Sequence, residues 1–182
     1  TEYKEFKYNE GEEFNGIIKY LTNKTGGNVH DNKTIEVTSN SLYDNYKLPK
    51  YVVDYESNTG FFSKDDDGTF LCFDFKDKII QITNYSIESY GQEKNMCHPK
   101  NWVAEVSEDG SNWIEIDRHI DDPSLNEHSI TVTFKVQKEI NGFYRYFRIL
   151  QTGISWDERS NHFYFGIRHV ELYGKLKEFE NK

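Results

Sequence analysis

The feature that most narrows the folds open to this chain is a recurring pattern of short runs in which apolar and polar side chains alternate, broken by turn residues about every ten positions. The clearest runs are 79–90 (IIQITNYSIESY), 129–136 (SITVTFKV) and 143–151 (FYRYFRILQ). A period of two sends neighbouring side chains to opposite faces of an extended strand, whereas a helix face needs apolar positions three or four apart. In 129–136 this puts Ile130, Val132, Phe134 and Val136 on one face. Residues 34–38, 51–54, 70–75, 102–107, 113–117 and 162–173 read as further strands, and 70–75 (FLCFDF) is apolar enough to be central. Asp109-Gly110 is a strong hairpin signal. Residues 14–21 fit a short helix or a strand equally well. About eight strands with regular turn signals describe an all-β fold, an antiparallel β-sandwich or jelly roll.

Composition supports this. Thirteen Phe, thirteen Tyr and three Trp supply large apolar areas, while a single Met and few Leu or Ala argue against a helical bundle. A chain of 182 residues suits one domain. The expected division is a polar lead-in at 1–13, the sandwich at 14–176 and a charged tail at 177–182.

The net charge of −9 is scattered rather than blocked. Such a surface repels phosphate backbones and anionic headgroups, so neither nucleic acid nor an anionic membrane is expected as a partner. No apolar stretch approaches the length of a membrane helix and no leader pattern is present, so the chain is expected to be soluble as given. Triplets at Asn23, Asn32 and Asn84 match the glycosylation sequon. Cys72, inside an apolar run, reads as a buried inert thiol, and Cys97, beside His98, as a free loop thiol. No second Cys/His pair stands at zinc-ligand spacing. Asp65 and Asp67, in a turn of three aspartates, are weak candidates for a structural calcium, but the EF-hand spacing and terminal Glu are missing. No nucleophile motif, metalloprotease motif or phosphate loop occurs, so no catalytic residue is assigned and the chain reads as non-enzymatic.

Two segments carry a family resemblance. In the first, His98-Pro99-Lys100-Asn101-Trp102 leads through a strand to Ser107-Glu108-Asp109-Gly110-Ser111-Asn112-Trp113. In the second, Tyr144-Arg145-Tyr146-Phe147-Arg148 is followed by Val170-Glu171-Leu172-Tyr173-Gly174. Both resemble the coagulation factor 5/8 type C, or discoidin-like, domains, in which Ser-x-Asp-Gly-x-x-Trp, Arg-Tyr-x-Arg and a final Glu-Leu-x-Gly recur. More narrowly, the chain resembles the intracellular branch found with BTB domains and HECT-type ubiquitin ligases in protists. The resemblance implies a discoidin-like (galactose-binding-like) sandwich and an intracellular, cytoplasmic setting. The chain lacks the cysteine near each terminus that staples the secreted members.

Trp102 and Trp113 are expected in the core, and Arg145 and Arg148 are expected to pair with Asp74 or Asp117. On this fold the ligand surface is made by loops at one end of the sandwich. The strongest candidate is the loop 154–162, with Trp156, Arg159 and His162, a composition suited to protein hot spots and to sugar stacking. Its alternative reading folds Trp156 back over the edge of the core. The loop from Tyr90 to Lys94 with His98 forms a second candidate, and Asn28 to Asp31, with His30, a third. The expected function is a ligand-recognition module for protein–protein interaction, a monomeric domain of a larger protein. The alternative is a carbohydrate-binding module, with calcium as the one cofactor kept open.

Overall fold

The computed structural model describes residues 2–159 and 161–179, so Thr1 of the expected lead-in, Ser160 of the candidate loop and residues 180–182 of the expected tail lie outside it. In chain order the elements are β1 (Lys4–Phe6), α1 (Ile17–Thr25), β2 (Glu36–Ser39), a 3-10 turn (Pro49–Val53), β3 (Phe61–Phe62), β4 (Phe70–Asp74), β5 (Lys78–Ser89), β6 (Trp102–Ser107), β7 (Ile114–His119), β8 (Thr131–Lys135), β9 (Tyr146–Gln151) and β10 (Gly166–Glu178). The strands make two antiparallel sheets. Sheet A has the order β1-β10-β5-β8, with β3 also on β10, and sheet B has the order β2-β4-β9-β6-β7. The sandwich expected from the alternation is therefore present, with ten strands among the described residues. Lys4–Phe6, inside the segment read as a lead-in, pairs with Gly174 to Leu176 of β10.

Alternation explains the core. In β4, Leu71 and Phe73 are buried while Phe70, Cys72 and Asp74 face outward, and β9 buries Phe147 and Ile149 in the same way. Tyr85, Ile87, Val170 and Leu172 close the core from sheet A. Rings meet across the layers at Tyr85–Phe147 (5.8 Å) and Trp102–Phe134 (5.4 Å), and Phe73 meets Phe147 within sheet B (5.9 Å). Each buried ring contributes on the order of 2–3 kcal/mol from the apolar area it removes from water. The polar atoms these rings carry inward are matched, since Trp102 Nε1 donates to the Tyr85 hydroxyl, which donates to Asp117 Oδ2 at 2.6 Å. The long β5–β10 ladder breaks register between Tyr173 and Gly174. There Gly174 has φ +139°, and a Cβ would stand 1.9 Å from the Gln81 carbonyl oxygen, so the bulge requires glycine.

Five expectations are corrected. Residues 51–54 form no strand: Pro49 begins a 3-10 turn that drops Val52 and Val53 into the core, and a two-valine run cannot distinguish the two. Trp113 stands on the outer face of sheet B, with the Arg148 guanidinium 3.9 Å from its ring centre, because the Asp109-Gly110 turn sets it just before β7. Arg145 pairs with Asp74 as expected, but Arg148 pairs with Glu105 at 2.9 Å, its cross-strand neighbour, while Asp117 is taken by His119 and Tyr85. Cys72 is only partly buried, on the outer face of sheet B, and Ile130 is exposed at the start of the edge strand β8. Cys97 is a free thiol in a loop, as expected, and its burial pushes it up to about 12. The 14–21 ambiguity resolves as a helix from Ile17, with Ile17, Ile18 and Leu21 packed inward.

Ser39 pairs with Leu71, Ser89 with Ile167 and Gln151 with Trp102, so the loops leaving β2, β5 and β9 emerge at one end of the sandwich.

Candidate functional site

At that end the loops enclose a cleft of about 240 Å³ lined by Tyr43, Lys47, Phe62, Gln92, Met96, Arg159 and Tyr164. Its geometry begins at Asp44, whose Oδ1 accepts the backbone N–H groups of Tyr46 and Lys47, both at 2.8 Å. This Asx turn reverses the chain so that Tyr43 and Lys47 flank the same edge. The turn is clipped to β3, since Tyr43 N–H donates to the Phe62 carbonyl and Phe62 N–H to the Lys47 carbonyl. Phe62 is the hub of the ring cluster. Its centroid lies 5.1 Å from Tyr43 in an edge-to-face contact, 5.3 Å from Tyr90 and 5.7 Å from Tyr164. Lys47 Nζ sits over three of these rings, at 5.3 Å from Tyr43, 5.4 Å from Phe62 and 5.9 Å from Tyr90.

The far wall comes from the 154–165 loop. Asp157, buried, grips Arg159 through Nε at 2.9 Å and Nη2 at 2.6 Å. Arg159 holds the Asp157 carboxyl below its ordinary value, and the carboxylate in turn raises that of the guanidinium. The Arg159 side chain remains 62% exposed, held from behind and open in front. The loop is fastened by Ser155, which donates N–H and Oγ–H to the His162 carbonyl, and by Asp65, which accepts Phe163 N–H at 2.6 Å and meets His162 Nδ1 at 2.6 Å.

Of the residues singled out from the sequence, the cleft gathers Arg159 directly, Tyr90 as a ring beneath Lys47, and His162 at its margin against Tyr164 (5.1 Å). Trp156 is turned elsewhere: its N–H donates to the His98 carbonyl, its indole Nε1–H to the Asp122 carbonyl, and Lys100 lies 4.5 Å from its ring. This is the folded-back arrangement. His98 is fully buried, burial lowers its pKa, and Nε2 faces the carbonyls of Gln92 and Glu93, both at 2.8 Å, so it shapes the loop that carries Gln92. Lys94 is exposed near Glu127. Asn28 accepts the N–H groups of His30 and Asp31, and His30 Nδ1 accepts Val37 N–H, both local supports. Asn28 borders a separate cleft of about 360 Å³ beside α1, whose one ring, Tyr55, donates its hydroxyl to the Val170 carbonyl. Asp65 is held by His162 and Phe163, and among the described residues no group of three or more His, Cys, Asp or Glu is arranged to hold a metal ion.

Tyr43, Lys47, Met96 and Tyr164 were not picked out by sequence reasoning, and Gln92 entered only as part of the 90–94 loop. The Tyr-Asp-x-x-Lys spacing at 43–47 is the one local signal, since an Asp that turns the chain brings the flanking ring and amine together.

No family model matches the chain. Among curated proteins it is similar to the E3 ubiquitin-protein ligase Ufd4 of Drosophila melanogaster, 32% identical over 79 residues, and to the E3 ubiquitin-protein ligase hecd-1 of Caenorhabditis elegans, 24% identical over 169 residues. These matches cover 42% and 89% of this chain but only 3% and 6% of those relatives' lengths. Among solved structures it resembles CpGH89CBM32-5 from Clostridium perfringens, in complex with GalNAc-β-1,3-galactose, with TM-score 0.59 and 15% identity over 78% of this chain and 96% of that one. The family 32 CBM of C. perfringens NanJ, in complex with galactose, superimposes with TM-score 0.58 and 9% identity, over 80% and 95% of the two chains. The chitosan-binding module 1 of a Paenibacillus chitosanase/glucanase gives TM-score 0.57 and 14% identity, over 78% and 96%. At these identities the likeness establishes the architecture: the fold is a galactose-binding-like antiparallel β-sandwich.

Proposed function

We propose that this chain is a non-catalytic glycan-recognition module within a longer protein, and that it holds a sugar at the ring-lined cleft of its loop end. The observation that carries this reading is the clustering of Tyr43, Phe62 and Tyr164 beside Lys47, Gln92 and Arg159. Sugar sites need an apolar ring to cover the C–H face of the pyranose, with polar groups converging on its hydroxyls. Tyr43 is half exposed and supplies the ring; the amine, amide and guanidinium supply donors. The solved neighbours bound to galactose and to GalNAc-β-1,3-galactose support the same reading, as they share the scaffold. These observations favour the carbohydrate alternative over the protein-interaction reading expected first from the sequence.

A glycan array followed by titration calorimetry tests it. Binding of a defined glycan that Tyr43→Ala and Tyr164→Ala weaken at least tenfold, with the fold intact by circular dichroism, supports the cleft. An array with no binder would sink it. The matches to two E3 ubiquitin-protein ligases favour a second reading, a module that docks a protein. Purified-partner binding that survives the same two substitutions would support that one instead.

A further inference from the structure

Building on the glycan reading, we infer that the sugar held in this cleft is anionic, its carboxylate or sulfate seated between the Lys47 ammonium and the Arg159 guanidinium. The chain as a whole is strongly acidic, at −9, yet the seven residues lining the cleft include two cations and no Asp or Glu. Surface acidity alone would make the opposite composition the common one. Among the described residues, no carboxylate oxygen lies within 4.0 Å of Lys47 Nζ, which rests instead over three aromatic rings. Of the acids close in sequence to the cations, Glu158 is exposed and does not line the cleft, and the other two are already committed. Asp44 has turned Oδ1 onto the N–H groups of its own Asx turn, and Asp157 lies buried behind Arg159.

The Arg159 arrangement is the second strand of the inference. A free surface arginine samples many rotamers, and a ligand that binds it must fix them. Here Asp157 fixes the guanidinium through Nε and Nη2, and among the described residues Nη1 makes no hydrogen bond, so its N–H groups and the second N–H of Nη2 form the outward fork of a pre-oriented plane. A planar donor fork held in place matches a carboxylate or sulfate better than it matches a hydroxyl, which accepts one hydrogen bond without charge. The rings meanwhile lower the local dielectric around Lys47 and strengthen its attraction for an anion. Gln92 can serve the remaining hydroxyls.

The test compares galactose, galacturonic acid, galactose 6-sulfate and glucosamine by titration calorimetry or ligand-observed NMR at low and high salt. Expected is at least about tenfold tighter binding of an acidic sugar than of galactose at low salt, with the margin shrinking as salt screens the charges and with glucosamine weakest. Tighter galacturonic acid identifies the carboxylate source, and tighter galactose 6-sulfate the sulfate. The double variant Lys47→Gln with Arg159→Gln is expected to bring acidic and neutral sugars within about twofold of each other, while Lys94→Gln, outside the cleft, leaves the ratio unchanged. Galactose binding equal to or tighter than both acidic sugars would overturn this inference and leave the glycan reading standing. Binding of none of the four, together with an empty glycan array, would remove both. Retention of the acidic preference in the double variant would also overturn the assignment to these two cations.

Discussion

Gly16 and Glu171, 155 residues apart in sequence, meet at the first turn of α1, where the glycine N–H donates to Glu171 Oε2 at 3.0 Å. The same carboxylate accepts Ile18 N–H at 2.8 Å and Lys19 N–H at 3.0 Å, with Leu172 N–H at 2.8 Å from its own strand. Gly16 has no side chain to cap the helix, so an acid from the central strand of sheet A takes that role and ties the helix to the sandwich. The approach is close enough that a Cβ on Gly16 would stand 2.4 Å from the Leu172 carbonyl oxygen.

Two substitutions follow from this contact. Gly16→Ala forces that backbone apart and is expected to cost about 1–3 kcal/mol. Glu171→Ala orphans four buried or partly buried N–H groups and is expected to cost about 3 kcal/mol or more. Urea denaturation followed by circular dichroism reads both. Wild-type stability in Glu171→Ala would show that α1 caps itself with water and that the contact is incidental.

The same residue makes stability depend on pH. Burial pushes the Glu171 carboxyl up to about 7, against the pull of its four N–H donors. A carboxyl raised in the fold binds more protons there than in the unfolded chain. Stability is therefore expected to fall as pH rises from about 4.5 to about 7, by about 3 kcal/mol from this group, and then to level. His119 acts in the same direction at higher pH. Burial lowers its pKa, but Asp117 and Asp122, each 2.7 Å from one ring nitrogen, outweigh that and raise it. Its contribution is full below about pH 6.5 and is lost as pH climbs through the folded value. Denaturation midpoints between pH 4.5 and 8 check this: Glu171→Gln should flatten the lower half of the decline and His119→Gln the upper half, and an unchanged slope in either variant would refute that assignment.

The two hairpin tryptophans separate what packing needs from what alternation suggests. Trp102 is fully buried and stacked on His119 at 4.4 Å, so Trp102→Ala is expected to cost about 3–5 kcal/mol. Trp113 lies outside under Arg148, and Trp113→Ala is expected to cost about 1 kcal/mol. Thermal melts of the two variants decide this; a large loss from Trp113→Ala would mean that the outer face of sheet B carries stability of its own.

Those tryptophans also mark how far the fold could be read from residues alone. Period-two runs located β5 and β9, where alternate residues are buried and the buried face writes itself into the sequence, and a near-continuous apolar run located β4. Pro49–Val53 escaped because a short apolar pair has no period, and Lys4–Phe6 because an edge strand of three residues buries too little to pattern. The cleft was legible only in part. Arg159 stood out by composition, but Tyr43, Lys47, Phe62, Gln92 and Tyr164 come from four segments that converge only once β3 lies against β10 and the Asp44 turn closes over it. No local window contains that convergence. Trp156 drew notice for the same reason as Arg159, yet its indole donates inward to Asp122.

Asp157→Asn sets two physical accounts of the cleft against each other. If anionic sugars are drawn merely by net charge, removing a carboxylate beside Arg159 makes the cleft more positive and should tighten their binding. If they are recognised by a guanidinium held in one orientation, the amide loses the charge that grips Nε and Nη2 and frees the side chain to wander, so their binding should weaken about five- to tenfold while galactose changes less. The Asp157 carboxyl already lies below its ordinary value through Arg159, so wild-type affinity should stay flat between pH 5 and 7, where the acid remains ionised throughout. Titration of galacturonic acid or galactose 6-sulfate into the variant distinguishes the two. A gain in affinity would show that Arg159 acts through charge alone, because orientation can only be lost when its buried partner is neutralised.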